Sequence, residues 1–147
     1  MGAIFRTAEG FGVSKIILSG YTPYPRIPND TRLPHISEKL TAQIHKTALG
    51  AESMVPFEYL GLPPLVELKA QGYRIVGLEQ ADRSIPMQDY QPTDSTALLI
   101  GEEVHGIDDA LLDHCEDIIE IPMAGKKESF NVSVATGIAL YQLTRYA

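Results

Sequence analysis

Three stretches carry residues whose types and spacing could do chemistry. The first is Gly2-Ala3-Ile4-Phe5-Arg6-Thr7-Ala8-Glu9-Gly10-Phe11-Gly12, in which Ile4, Phe5, Ala8 and Phe11 recur at helical spacing and Arg6 falls one turn after Gly2. A cation near a helix start opposes the helix dipole, so Arg6 is either a solvated surface residue or is there for something other than helix stability. The second is Gly101-Glu102-Glu103-Val104-His105-Gly106, directly after an apolar run. Its bracketing glycines let backbone approach a ligand closely, while its acids either cap the next segment or stay solvated. It lacks the His-Glu-x-x-His spacing of a zinc helix.

The third stretch runs from Ile121-Pro122-Met123 through Gly125-Lys126-Lys127-Glu128 to Ser129-Phe130-Asn131-Val132-Ser133. Gly125-Lys126 invites a phosphate-loop reading, which fails because Glu120 stands where a glycine is required and Lys127 where Ser or Thr would hold magnesium. Ser129 is expected to cap a helix. Asn131 is harder to place, because an amide in the first turn of an apolar helix needs partners for its donors and acceptors. Lys126 and Lys127 are adjacent basic residues in an acidic chain, suited to phosphate contact or simply to solvent.

The elements that must hold these residues alternate in period. Lys15–Ser19 reads as a strand closed by Gly20, and Gly20–Pro34, with Pro23, Pro25, Pro28 and Pro34, as an ordered loop or a lid. Ser37 is expected to cap a helix with Leu40, Ile44 and Ala48 on one face and Gly50 past its end. Further strands are expected at Met54–Phe57, Tyr73–Leu78, Thr96–Ile100 and Asp117–Ile121, the third apolar enough to be buried on both faces. Helices are expected at Pro64–Gln71, Asp108–His114 and Val132–Arg145, the last with Ala135, Ile138, Ala139 and Leu143 inside. Strands alternating with helices define an α/β fold, a mostly parallel sheet flanked by helices, in one domain over residues 1–147. Ligands in such sheets bind beyond the carboxyl ends of the strands, which here carry Leu78-Glu79-Gln80, Ile100-Gly101-Glu102-Glu103 and Ile121-Pro122-Met123.

Composition narrows the class. A 44% hydrophobic and 21% charged chain is ordinary globular material. One cysteine, Cys115, excludes an internal disulfide and reads as a small buried hydrophobe; with His114 it gives too few ligands for a metal. No basic leader precedes an apolar run and no stretch is long enough to span a bilayer, so a cytoplasmic protein without membrane contact is expected. A net charge of −7 argues against gripping nucleic acid by overall charge, so any such contact must be local. A Ser-based hydrolase lacks its Gly-x-Ser-x-Gly elbow, and His35, His45, His105 and His114 have no motif context.

In combination, the stretches resemble the three motifs of the SpoU (TrmH) family of RNA methyltransferases, within the knotted SPOUT class. Gly2–Gly12 is similar to motif one, with Arg6 at its essential arginine. Gly101-x-Glu103-x-x-Gly106 is similar to motif two, and Ile121-Pro122-Met123 with Ser129-Phe130-Asn131-Val132-Ser133-Val134-Ala135 to motif three. The sequence departs in three places: Phe130 replaces a usual Leu, Glu102 a frequent Asn, and the family's preceding Asn and first strand are not found before Gly2.

The resemblance implies a carboxyl-terminal deep trefoil knot and S-adenosylmethionine as cofactor, leaving S-adenosylhomocysteine as product. It implies cofactor binding near Leu78, Glu79, Ile100, Gly101, Ile121, Met123 and Phe130, and catalytic roles for Arg6, Glu103, Ser129 and Asn131. RNA, either tRNA or rRNA, would be contacted by Arg6, Lys126 and Lys127 and methylated at a ribose 2′-hydroxyl by a homodimer. The competing reading is a knotted dimer that binds RNA or cofactor without turnover.

Overall fold

The computed structural model describes residues 1–93 and 95–145, which form two compact units, residues 1–63 and 64–147. In the first unit the order is α1 (Gly2–Gly10), β1 (Ile16–Ser19), α2 (Pro34–Ala48), a single 3-10 turn at Ala51–Ser53, and β2 (Phe57–Leu60). β1 and β2 pair in parallel, Ile16 opposite Phe57. Phe5, Leu18, Ile44, Ala48, Ala51 and Val55 form the core beneath them, and Phe57 meets the fully buried Phe5 edge-on with ring centroids 5.4 Å apart. Burying a side chain of that size contributes about 1.5–3 kcal/mol. The two helices touch at Gly2, where a Cβ would collide with Thr47 Oγ1 and the Ile44 carbonyl.

The cap of helix α2 lies four residues earlier than the Ser37 expected from the sequence. Leu33 is the capping residue and Pro34 opens the first turn, where its fixed φ and missing N–H cost nothing. Ser37 is instead buried and donates to the Pro34 carbonyl at 3.0 Å. The strand expected at Met54–Phe57 lies at Phe57–Leu60, because the 3-10 turn and Pro56 occupy the preceding residues.

The proline-rich segment between β1 and α2 is ordered by one side chain. Arg32 donates from Nε to Asp30 Oδ1 at 2.9 Å, from Nη2 to Asp30 Oδ2 at 2.5 Å, and to the carbonyls of Tyr24 and Pro25 at 3.0 and 3.1 Å. Its guanidinium also lies 3.6 Å over the Tyr24 ring, which stacks on Tyr59 with centroids 4.1 Å apart. The Arg32 side-chain hydrogen bonds hold the Asp30 carboxyl well below the usual carboxylate range, against the opposing effect of desolvation.

The second unit holds α3 (Leu65–Ala70), β3 (Arg74–Leu78), the two-residue β4 (Ile85–Pro86), β5 (Thr96–Ile100), α4 (Asp109–Leu112), β6 (Asp117–Glu120) and α5 (Val132–Thr144). Its sheet is parallel throughout, in the order β4-β6-β3-β5. Successive residues of β3 and β6 point to opposite faces, as the period of a strand requires. Val76 and Ile119 join Met87, Tyr90 and Ala139 of α5 in one core, while Ile75 and Ile118 join Leu65 and Cys115 in the other. The α/β class with parallel sheets therefore holds, and Cys115 is the buried small hydrophobe expected.

Two burial expectations are corrected. β5 is the edge of its sheet and every residue in it is only half-buried, where burial on both faces was expected. α5 buries Thr136, Ala139, Leu140 and Gln142, and Ile138, expected inside, is 38% exposed. That helix is apolar almost all round, so its period does not choose a face. Among the described residues no helix is long and apolar enough to cross a membrane.

Candidate active site

Register brings the three strand ends together. Leu78 lies opposite Ile100 of β5 on one side and Ile119 of β6 on the other, so all three carboxyl ends finish at one edge. The turns beyond them enclose a cleft of about 280 Å³. Leu78 and Glu79 follow from β3, Ile100 and Gly101 from β5, and Ile121 and Met123 from β6; Phe130, beside α5, completes the wall. Every residue that the resemblance marks for cofactor contact therefore lines this cleft, together with Glu103 and Ser129.

The turn after β5 is a tight loop closed on itself. Glu102 and Gly106 exchange both backbone hydrogen bonds, at 3.2 and 3.1 Å, and His105 Nδ1 contacts the Glu102 carboxylate. Gly101 permits this closure, because a Cβ there would collide with the Gly106 carbonyl group and Ile107 N. Glu79 clamps the same loop from the neighbouring strand: Oε2 accepts from Ile107 N at 3.0 Å and Oε1 from Gln80 N at 2.9 Å.

The turn after β6 is joined to both of its neighbours. Gln80 Nε2, at the end of β3 where the site is expected, donates to the Glu128 carbonyl at 2.9 Å. Asn131 Nδ2 donates to Glu103 Oε1 at 3.2 Å. Asn131 Oδ1 accepts from Ser133 N at 2.9 Å and Ser133 Oγ at 2.6 Å, so Asn131, not Ser129, caps α5. The reason is geometric: the chain turns into the helix at Val132, which leaves Ser129 too far upstream to reach the orphan amides. Ser129 is exposed at the cleft, and its hydroxyl makes no hydrogen bond among the described residues.

Electrostatically the cleft is one-sided. Glu79, Glu102, Glu103, Glu120 and Glu128 line it, and no Lys or Arg does so among the described residues. Lys126 and Lys127 are exposed on the adjoining loop without an ion pair among the described residues. Arg6 belongs to the first unit, exposed on α1 and likewise unpaired. No group of three or more His, Cys, Asp or Glu residues is arranged to hold a metal among the described residues.

A parallel sheet whose turns close an acid-lined cleft, with the second and third sequence motifs joined by the Asn131–Glu103 hydrogen bond beside it, defines a class that comparison with known proteins makes explicit. The chain belongs to the SpoU rRNA Methylase family, which matches residues 1–141. The 23S rRNA (guanosine-2'-O-)-methyltransferase RlmB of Acinetobacter baylyi is 31% identical over 148 residues, 99% of this chain and 54% of that protein. The chain thus spans about half the length of the curated relatives it matches, 54%, 53% and 53% of the first three. Among solved structures, the A. aeolicus TrmH/SpoU tRNA modifying enzyme is 28% identical, with a TM-score of 0.79, over 98% of this chain and 66% of that one. The AdoMet-bound rRNA methyltransferase from Sinorhizobium meliloti, 24% identical with a TM-score of 0.77 over 99% of this chain and 51% of that one, shares the fold.

Proposed function

We propose that this chain acts in an S-adenosylmethionine-dependent RNA methyltransferase that modifies a ribose 2′-hydroxyl of ribosomal or transfer RNA. The observation that carries this reading is the hydrogen bond from Asn131 to Glu103, a residue of the cleft wall, which ties motif three to motif two. Family membership over residues 1–141, across both units, supports treating residues 1–147 as one SpoU-type domain.

The cleft fits the cofactor in charge and in surface. Five glutamates line a cleft that would take a molecule carrying a sulfonium and an ammonium, and Leu78, Ile100, Ile121 and Phe130 offer apolar area to an adenine ring. Bound there, S-adenosylmethionine supplies a methyl group already activated by its positive sulfur. The protein then has mainly to orient the acceptor and stabilise charge on it. Arg6 is assigned the charge-stabilising role: its guanidinium stays protonated, so it binds the neighbouring phosphate in two-point fashion and steadies negative charge growing on the 2′-oxygen. Asn131, held by Glu103 and Ser133, fixes the start of α5 against the motif-two loop, and the Ser129 hydroxyl, without a hydrogen bond among the described residues, is available to the ribose.

The finer architecture belongs to the same proposal. A threaded trefoil knot is supported by strand order, since β6, the last strand in sequence, sits between β4 and β3 rather than at an edge. A homodimer is supported by Val134, Ile138 and Tyr141, which recur along α5 at helical spacing and are 51%, 38% and 61% exposed. A cytoplasmic location follows from the RNA substrate. Incubation with tritiated S-adenosylmethionine and purified tRNA or ribosomal RNA tests the reading, with the label expected in 2′-O-methylated nucleosides. Cofactor binding without label in either RNA overturns it in favour of a non-catalytic binding dimer.

A further inference from the structure

We infer that the exposed face of α2 carrying Lys39 and Lys46 is a contact surface for the sugar-phosphate backbone of RNA. The inference rests on the proposed function for the identity of the polymer, and on charge and geometry for the surface.

The acidity that argued against nucleic acid is confined to one unit. Residues 1–63 hold six Lys and Arg against five Asp and Glu, while residues 64–147 hold six against fourteen. Most cations are already engaged: Lys15 with Glu58, Arg26 with Glu38, Arg32 with Asp30, Lys69 with Glu116, Arg74 with Asp117, and Arg83 with two carbonyls. Among the described residues the cations without an ion pair or hydrogen bond are Arg6, Lys39, Lys46, Lys126 and Lys127. Lys39 and Lys46 are the two for which neither a motif nor a side-chain partner accounts, although Lys46, in the last turn of α2, also complements the helix dipole.

Their placement is regular. His35, Lys39, Ala42 and Lys46 recur at four, three and four residues, all exposed, which makes a single stripe along a helix. Ser37, Ile44 and Ala48 form the buried stripe on the opposite side, so packing holds the basic stripe outward. Lys39 and Lys46 are two turns apart, about 10 Å along the axis, a span that matches separate phosphates of one strand. The Gly2–Thr47 contact sets the start of α1 against the last turn of α2, so Lys46 and Arg6 each lie within about a turn of it. An arginine assigned to the acceptor's phosphate and a lysine for its neighbours thus share one part of the unit.

The test compares Lys39→Gln/Lys46→Gln with Lys15→Gln/Lys69→Gln, which removes equal charge from two ion-paired lysines. Binding of each full-length protein to a labelled 23S ribosomal RNA transcript and to bulk tRNA is followed from low to high salt. Each lost phosphate contact lowers the slope of log affinity against log salt by about 0.7–0.9, so the first pair is expected to lose about 1.5 and the control little. Lys39→Glu/Lys46→Glu should bind more weakly still, with unchanged circular dichroism and cofactor affinity. Equal slopes for the two Gln pairs overturn the inference while methyl transfer by the unaltered chain keeps the functional reading standing. Absence of transfer to either RNA removes that reading, and this surface's proposed ligand with it.

Discussion

Asn131 joins a helix start to a neighbouring loop: its carbonyl oxygen accepts from Ser133 N and Oγ while its amide nitrogen donates to Glu103 Oε1 at 3.2 Å. Capping and cross-linking are thus separate ends of one side chain, and they separate by substitution. Asn131→Ser keeps a good cap and removes the amide N–H that reaches Glu103, so melting temperature should stay within a few degrees while methyl transfer is lost. Asn131→Ala should lose about 1 kcal/mol of stability as well. Thermal melts and single-turnover transfer on both variants check this, and equal destabilisation by the two would contradict the assigned division.

Arg6 is exposed on α1, is not among the residues that line the cleft, and makes no ion pair among the described residues. Arg6→Ala should therefore reduce methyl transfer by about 10²–10³-fold, the cost of removing one charge-stabilising donor, while calorimetric cofactor affinity stays nearly constant. Parallel loss of both would refute a role confined to the RNA side.

Gly101 leaves no room for a side chain against Gly106 and Ile107. Gly101→Ala should force the Gly101–Gly106 loop open, cost about 1–3 kcal/mol as overpacking does, and weaken cofactor binding. Denaturant midpoints and calorimetry should move together, and a variant with wild-type affinity would show that the closed loop is not the binding conformation.

Much of this arrangement is legible in the sequence, and what is not has a physical cause. Thr96–Ile100 is bounded as expected because a β-branched and apolar run between polar neighbours admits one reading. Ile85–Pro86 is invisible, since two residues carry no period. Asn131 is singled out as an amide needing partners, yet Ser129 is the expected cap, because the type of residue favours both and only the chain path decides. The Arg32 cluster could not be read at all: its acceptors lie eight, seven and two residues away in a segment without periodicity. Ile138 is assigned inside because an all-apolar helix hides which face meets solvent.

At the opposite end of the sheet, Arg74 grips Asp117 through two nitrogens at 2.5 and 3.0 Å, and Tyr90 Oη donates to the same carboxylate at 2.9 Å. The Arg74 hydrogen bonds, helped by Tyr90, hold the Asp117 carboxyl below its ordinary range. Burial first, then this hydrogen bond, pushes Tyr90 up to about 12. A depressed carboxyl contributes stability above its unfolded pKa and loses it as pH falls through the folded value. A raised phenol contributes below its unfolded pKa and loses it as pH climbs from about 10 toward 12. Urea midpoints should thus fall at both extremes, and Asp117→Asn should flatten the acid limb. An unchanged acid limb would remove Asp117 from the account.

The exposed Val134, Ile138 and Tyr141 give the proposed dimer a simple check. Ile138→Glu should convert the sedimenting species to monomer, because an unpaired charge is costly in an apolar contact. A variant that sediments unchanged would show that α5 is not the dimer contact.

The clamp at Arg32 has a thermodynamic consequence. Three prolines between Gly20 and Pro34, one guanidinium with Nε and both terminal nitrogens engaged, and a stacked tyrosine pair leave this segment little freedom to surrender. Whatever polymer docks beside it meets a stiff strut whose disorder was given up when the chain folded. Association there would proceed as rigid-body docking, with little of the heat-capacity and entropy signature that accompanies a loop ordering around its guest.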